Sequence, residues 1–258
     1  MDDADRPLPI DRIDTPSGAV LYHLGPSLDQ GKRPSVFYFA LSGEESLLLD
    51  PFNQPAVALA DAGIRVFSVD IPYHGSSYAA TQAMRYWAEE LGNNNDFLSP
   101  FFDQVCGVID FALDNEWIDP HALGTIGLSR GGFIATHVAA RHHDVKYVVG
   151  FAPMTQFGLM DEFHERQLTT VAEKLALTHI ADKLIGRQVR YYIGNRDQRV
   201  GTDACYHFVR ALVEANFSQG KRSPPVDLII TPSIGHKGHG TSPETFASGA
   251  DFMVSVIA

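Results

Sequence analysis

A chain of 258 residues with 45% hydrophobic and 20% charged residues can bury one sizeable core, and its composition is not that of a disordered segment. A formal charge of −11 sets up net repulsion toward nucleic acid, and no stretch approaches the roughly 18 uninterrupted apolar residues of a membrane span. Two cysteines, Cys106 and Cys205, supply neither a disulfide framework nor the spacing of zinc ligands.

The opening residues, Met1-Asp2-Asp3-Ala4-Asp5-Arg6, lack the basic start and apolar centre of a signal peptide, so a reducing, cytoplasmic location is expected. No repeat, low-complexity tract or long linker interrupts the chain, which reads as one domain over residues 1–258. Residues 18–24 (GAVLYHL) read as a first strand. Residues 35–40 (SVFYFA) are too apolar for a half-exposed strand and suit a sheet covered on both faces. A helix over 51–62 is stopped by Gly63, and a strand over 65–70 (RVFSVD) leads into a turn-rich stretch through Gly75 and Ser76.

Residues 100–117 carry a helical stripe of Phe101, Val105, Val108, Ile109, Ala112 and Leu113. A short strand at 122–127, a helix at 129–141 and a strand at 146–151 follow, then an irregular or helical insertion over about 154–185. The chain closes with a strand at 188–193, a helix at 201–216, a strand at 226–231 and a helix from Pro243 onward. This alternation predicts an α/β fold with a mostly parallel central sheet of about eight strands and helices on both faces. In such sheets ligands bind at the carboxyl ends of the strands, so chemistry is expected just after them.

Gly127-Leu128-Ser129-Arg130-Gly131 is a G-x-S-x-G sequence lying between a strand and a helix. In that setting a serine is forced into a strained turn that lifts its hydroxyl above the sheet. Side chains two residues before and after would crowd the turn, which accounts for Gly127 and Gly131. The helix that follows offers free N–H groups and the positive end of its dipole to a developing oxyanion.

The run Asp119-Pro120, Leu123-Gly124-Thr125-Ile126-Gly127-Leu128-Ser129-Arg130-Gly131-Gly132 resembles the D-P-x-x-[IL]-G-x-x-G-x-S-R-G-G segment of the dienelactone-hydrolase and prolyl-oligopeptidase-like branch of α/β hydrolases. Asp70-Ile71-Pro72-Tyr73-His74-Gly75-Ser76-Ser77 is similar to that branch's D-x-P-G-H-G-x-S turn, whose histidine is structural. The resemblance spans about residue 35 to the C-terminus and implies the α/β-hydrolase fold with Ser129 as nucleophile.

A serine hydroxyl needs a base to take its proton, and the base needs an orienting carboxylate. The chain order in this fold is Ser, then acid, then His. Gly194-Asn195-Arg196-Asp197-Gln198-Arg199-Val200 resembles the branch's hG-x-x-D-x-x-V segment and implies Asp197 as the acid. After the strand at 226–231 comes Pro232-Ser233-Ile234-Gly235-His236-Lys237-Gly238-His239-Gly240. The branch places its histidine about four residues after the proline, which selects His236; His239, in a G-H-G context, is the alternative base. No cysteine or carboxylate at metal-ligand spacing joins the two histidines, so no metal and no cofactor are expected.

One oxyanion donor is expected from the backbone N–H of Arg130. The second should come from the loop after residues 35–40, where relatives carry His-Gly-x and this chain carries Ala40-Leu41-Ser42-Gly43. Alignment on the strand selects Ser42, with Leu41 as the alternative. The insertion at about 154–185 reads either as a small lid over the pocket or as a crossover segment packed on the sheet. Together these features imply hydrolysis of a small-molecule carboxylic ester or thioester through an acyl-enzyme. Peptidase or acyl-peptide hydrolase activity, and a non-catalytic binding role on the same fold, are the alternatives. The expected partner is a small molecule, with no nucleic acid and no membrane, acting on a monomer or homodimer.

Overall fold

A computed structural model describes residues 9–75 and 77–258. The acidic N-terminal stretch and Ser76 of the turn read above lie outside the described residues.

Among the described residues, eight strands form one sheet: β1 (Asp11–Asp14), β2 (Val20–Leu24), β3 (Arg33–Phe39), β4 (Arg65–Val69), β5 (Ile118–Leu128), β6 (Tyr147–Phe151), β7 (Gln188–Gly194) and β8 (Val226–Thr231). Their spatial order is β1-β2-β4-β3-β5-β6-β7-β8. β2 pairs antiparallel with β1 and β4, and every pairing from β4 through β8 is parallel. This is the α/β-hydrolase fold.

The helices among the described residues are α1 (Gly43–Leu48), α2 (Gln54–Asp61), α3 (Ala83–Gly92), α4 (Leu98–Asp114), α5 (Arg130–Arg141), α6 (Asp161–Glu165), α7 (Thr169–Lys174), α8 (Thr202–Ser218) and α9 (Pro243–Ile257). Adjacent residues of one strand feed opposite faces, as the two-residue period of a strand requires. Phe37 and Phe39 of β3 join Trp87 of α3, Phe102 of α4, Phe133 of α5 and Phe208 of α8 on one side. Val36 and Tyr38 join Leu47 of α1, Leu59 of α2 and Phe246 and Met253 of α9 on the other. Burial on both sides is why β3 and β4 read as continuous apolar runs.

Seven strands match the sequence reading to within a few residues. β1 went unread because its residues, DRID, are polar and mostly exposed. α1 and α3 were also unread, α3 because it follows directly on a glycine- and serine-rich turn. No described helix is long and apolar enough to cross a membrane.

The insertion at 154–185 holds α6, α7 and a 3-10 segment, Leu177–Leu184. Phe157, Met160, Phe163, Leu177 and Leu184 are buried in the core shared with α3, α4 and α5. Its apolar residues therefore pack as a crossover segment does.

Candidate active site

Ser129 sits where β5 turns into α5, with φ 55° and ψ −115°. A non-glycine residue pays strain in that region, and the surroundings hold it there. Its N–H donates to Phe151 O at 2.8 Å, and its carbonyl accepts from Gly132 N and Met154 N, both at 3.0 Å. A methyl on Gly127 would overlap the Gly131 carbonyl, and one on Gly131 would overlap the carbonyl of Phe39 on β3. The elbow can form only if both positions lack a side chain.

Asp197 follows β7 and its side chain is wholly excluded from solvent. The carboxylate is satisfied by three donors: Oδ1 accepts from Arg199 N at 2.9 Å and Val200 N at 3.0 Å, and Oδ2 accepts from His239 Nδ1 at 2.7 Å. A buried carboxylate persists only with such partners. With its Nδ1 proton given to Asp197, the ring presents Nε2 as an acceptor, and the Ser129 hydroxyl donates to it at 2.8 Å. The relay Ser129–His239–Asp197 is continuous.

The base predicted from spacing, His236, is not in this relay. It is exposed and opens a short 3-10 turn, His236–Gly238. Counting from Pro232 failed because that turn inserts extra chain: Lys237 is left-handed at φ 54°, and Gly240 N bonds back to Ile234 O at 2.8 Å. The closed loop turns His239 inward and leaves His236 at its tip. Only the G-H-G context of His239 pointed to it in the sequence.

The expected second oxyanion donor, Ser42, does not present a free N–H, and neither does the alternative, Leu41. Ser42 is the N-cap of α1: its hydroxyl accepts from Glu45 N at 3.2 Å, and its own N–H donates to Glu45 Oε2 at 3.2 Å. That capping box commits the Ser42 N–H to Glu45. The alternative, Leu41, lines the same cavity as Ser129 and Arg130. Its N–H donates to the buried Ser46 hydroxyl at 2.9 Å, a partner the sequence did not suggest. Arg130 N–H opens α5 and so has no carbonyl one turn back to bond.

The cavity holds about 560 Å³ and is lined largely by apolar groups, among them Leu41, Leu49, Phe52, Leu128 and Phe246, with Ser129 and His239 at one wall. No residue of the insertion at 154–185 lines it. Burial pushes the thiols of Cys106 and Cys205 up to about 11 and about 12, so neither competes as a nucleophile. His74 is buried and donates from Nδ1 to Pro72 O at 3.1 Å; burial, reinforced by the Arg130 charge, lowers it to about 4. It holds a turn rather than a proton. His142, His143 and Asp144, just past the far end of α5, could offer three metal-ligand atoms, but His142 Nε2 already bonds Asp110 Oδ1 at 3.1 Å.

The profile of the prolyl oligopeptidase family matches residues 51–258, the span that holds Ser129, Asp197 and His239. The chain belongs to the prolyl oligopeptidase family. The family relationship accords with the serine, acid, histidine order seen here. Among curated proteins the chain is similar to Esterase YjfP of Escherichia coli (strain K12), 31% identical over 117 residues, covering 44% of this chain and 42% of that protein. Among solved structures, it superposes on a puromycin-hydrolyzing peptidase of Mycobacterium tuberculosis with a TM-score of 0.70 at 18% identity, over 98% of this chain and 39% of that one. A cold-adapted esterase from an Arctic intertidal metagenomic library gives a TM-score of 0.66 at 16% identity, over 96% and 93% of the two chains. The chain thus spans well under half of the first two relatives and nearly all of the third.

Proposed function

We propose that this member of the prolyl oligopeptidase family is a serine hydrolase that cleaves a small-molecule carboxylic ester or thioester through an acyl-enzyme. The observation that carries the reading is the hydrogen-bonded relay Ser129–His239–Asp197 opening onto an apolar cavity. As Ser129 Oγ attacks the carbonyl carbon, its proton passes to His239 Nε2, and Asp197 steadies the resulting imidazolium. The carbonyl oxygen becomes an oxyanion held by Arg130 N–H and by Leu41 N–H, which turns from Ser46 or shares its proton with both acceptors. Collapse of the intermediate breaks the bond to the alcohol, which leaves with the proton from His239. Water, deprotonated by the same imidazole, then hydrolyses the acyl-serine and restores the enzyme.

The mainly apolar lining, with Glu45 and Arg130 as its charged members, suits a largely apolar acyl or alcohol moiety. The similarity to an esterase supports an ester over an amide, while the peptidase among the structural neighbours makes amide cleavage the comparison to run. A chain-length series of p-nitrophenyl esters, set against aminoacyl p-nitroanilides, tests the reading. Ester turnover that vanishes in Ser129→Ala, with a fluorophosphonate adduct confined to the Ser129 enzyme, is the expected result. Anilide turnover exceeding that of every ester would reassign the chain as a peptidase, and absence of any adduct would make it a binding protein.

A further inference from the structure

The insertion at 154–185 leaves the cavity alone yet touches the loops that carry Asp197 and His239 and the helix that follows Ser129. Phe157 packs edge-on against Phe133, one turn into the helix that starts after Ser129, with ring centroids 4.9 Å apart. Asp161 Oδ2 accepts from Lys237 Nζ at 2.7 Å, two residues before His239. Glu162 Oε1 accepts from Arg199 Nη2 at 2.7 Å, two residues after Asp197, and Arg199 Nη1 lies 3.8 Å from Asp161 Oδ2. The backbone of Arg199 in turn donates to the Asp197 carboxylate at 2.9 Å. Lys237 O closes the circuit by accepting from Gln198 N at 2.8 Å.

The histidine loop needs external support. It follows β8, which pairs on one side only, and Ile229, Ile230 and Ile234 around it are exposed. Gly235, Lys237 and Gly238 are left-handed, so the loop is closed by one Ile234–Gly240 bridge rather than a regular ladder. By contrast α6 stands on a buried aromatic base, with Phe157 and Phe163 almost fully covered. The Lys237 ammonium, through its hydrogen bond, keeps Asp161 below the usual carboxylate range, so the contact persists as an ion pair at neutral pH.

We infer that Asp161 and Glu162 are positioning residues: the insertion is a rigid frame that aligns His239 and Asp197 on Ser129 through Lys237 and Arg199, not a cover for the substrate. The inference rests on the catalytic reading of those three residues. The Lys237–Asp161 pair is exposed on its Asp161 side and adds little to global stability, so alignment can be tested there apart from folding. Misplacing a catalytic group by about 1 Å can cost on the order of 100-fold in rate.

The test measures kcat and KM for a p-nitrophenyl ester, with melting temperature alongside, in wild type, Lys237→Met, Lys237→Arg, Asp161→Asn, the Asp161→Asn/Lys237→Met double variant and Ser129→Ala. Expected are a kcat lowered about 10-fold or more in Lys237→Met and Asp161→Asn, with KM within about two-fold and melting near wild type. Lys237→Arg should recover most of the rate, and the double variant should be no worse than the poorer single, as for two ends of one contact. An active wild type with a kcat in Lys237→Met within two-fold of it would overturn the inference alone. Equal losses in Lys237→Arg and Lys237→Met would do the same. A wild type with no Ser129-dependent turnover would overturn the catalytic reading and this inference with it.

Discussion

Two histidines three residues apart end up in opposite settings, one at an exposed loop tip and one bonded between a serine and an aspartate. The consequence for kinetics is sharp. His239→Ala should lower kcat by at least about 1,000-fold, because removing the base of a serine triad leaves only binding and oxyanion stabilisation. His236→Ala should stay within about three-fold of wild type, since only its backbone carbonyl is used, accepting from His239 N at 3.1 Å. Steady-state rates on one ester decide between them, and a reversed order would return the base to His236. Ser129 and Asp197 were legible because each lies in a motif directly after a strand, where local backbone geometry dictates the role. The histidine was not, because the path from β8 to His239 depends on a left-handed Lys237 and on a bond between Gly240 and Ile234. The engagement of Ser42 was hidden for a similar reason: its capping of α1 turns on Glu45, three residues away.

Among elements, the joint between β5 and α5 is the tightest. Gly131 lies against the Phe39 carbonyl, a backbone atom that cannot swing aside. Gly131→Ala should therefore destabilise the fold by about 1–3 kcal/mol as β3 and α5 are forced apart. A lowered denaturant midpoint would register this, and an unchanged one would show that the helix can shift freely. At the start of β4, Arg65 is fully buried without a carboxylate partner among the described residues. Its guanidinium donates to Pro26 O at 3.0 Å, Gly31 O at 2.6 Å, Trp117 O at 2.5 Å and also to Ser27 O, gathering two connections beneath the sheet. Arg65→Met would strand several carbonyls in the interior at about 1–3 kcal/mol each, so a loss of more than about 3 kcal/mol is expected by chemical denaturation. The sequence showed a strand beginning RVFSVD but nothing of this role, which depends on loops 34 to 52 residues distant.

For the molecule as a whole, the parallel sheet brings Ser129, Asp197 and His239 together although up to 110 residues separate them. Each lies beyond the carboxyl end of its strand, where the fold opens. Burial also gives the molecule a global pH response. His23 and His74 are buried, and His137 is sandwiched between Phe102 and Phe133, each at 4.5 Å. Burial lowers all three, His74 to about 4 and His137 to about 3. Above pH 6.5 both folded and unfolded forms hold them neutral. As pH falls below that, the unfolded chain takes up protons that the folded chain refuses, so stability drops, by up to about 1.4 kcal/mol per pH unit for each of His74 and His137. The loss runs down to about pH 4 for His74 and about pH 3 for His137. Urea midpoints from pH 7 to 4 should fall steadily, and His137→Phe should flatten the slope; a flat wild-type profile would refute the account.

By itself the sequence determined seven of the described strands, five of the described helices, the nucleophile turn and the aspartate, because strand periodicity, paired glycines and short motifs act over a few neighbouring residues. The tertiary structure decided which histidine meets Ser129, that Ser42 caps α1, and that the apolar residues of the insertion pack in the core. Those outcomes depend on contacts between segments far apart in the chain, where a single left-handed residue or a cap formed with a neighbouring glutamate redirects a side chain by several ångströms.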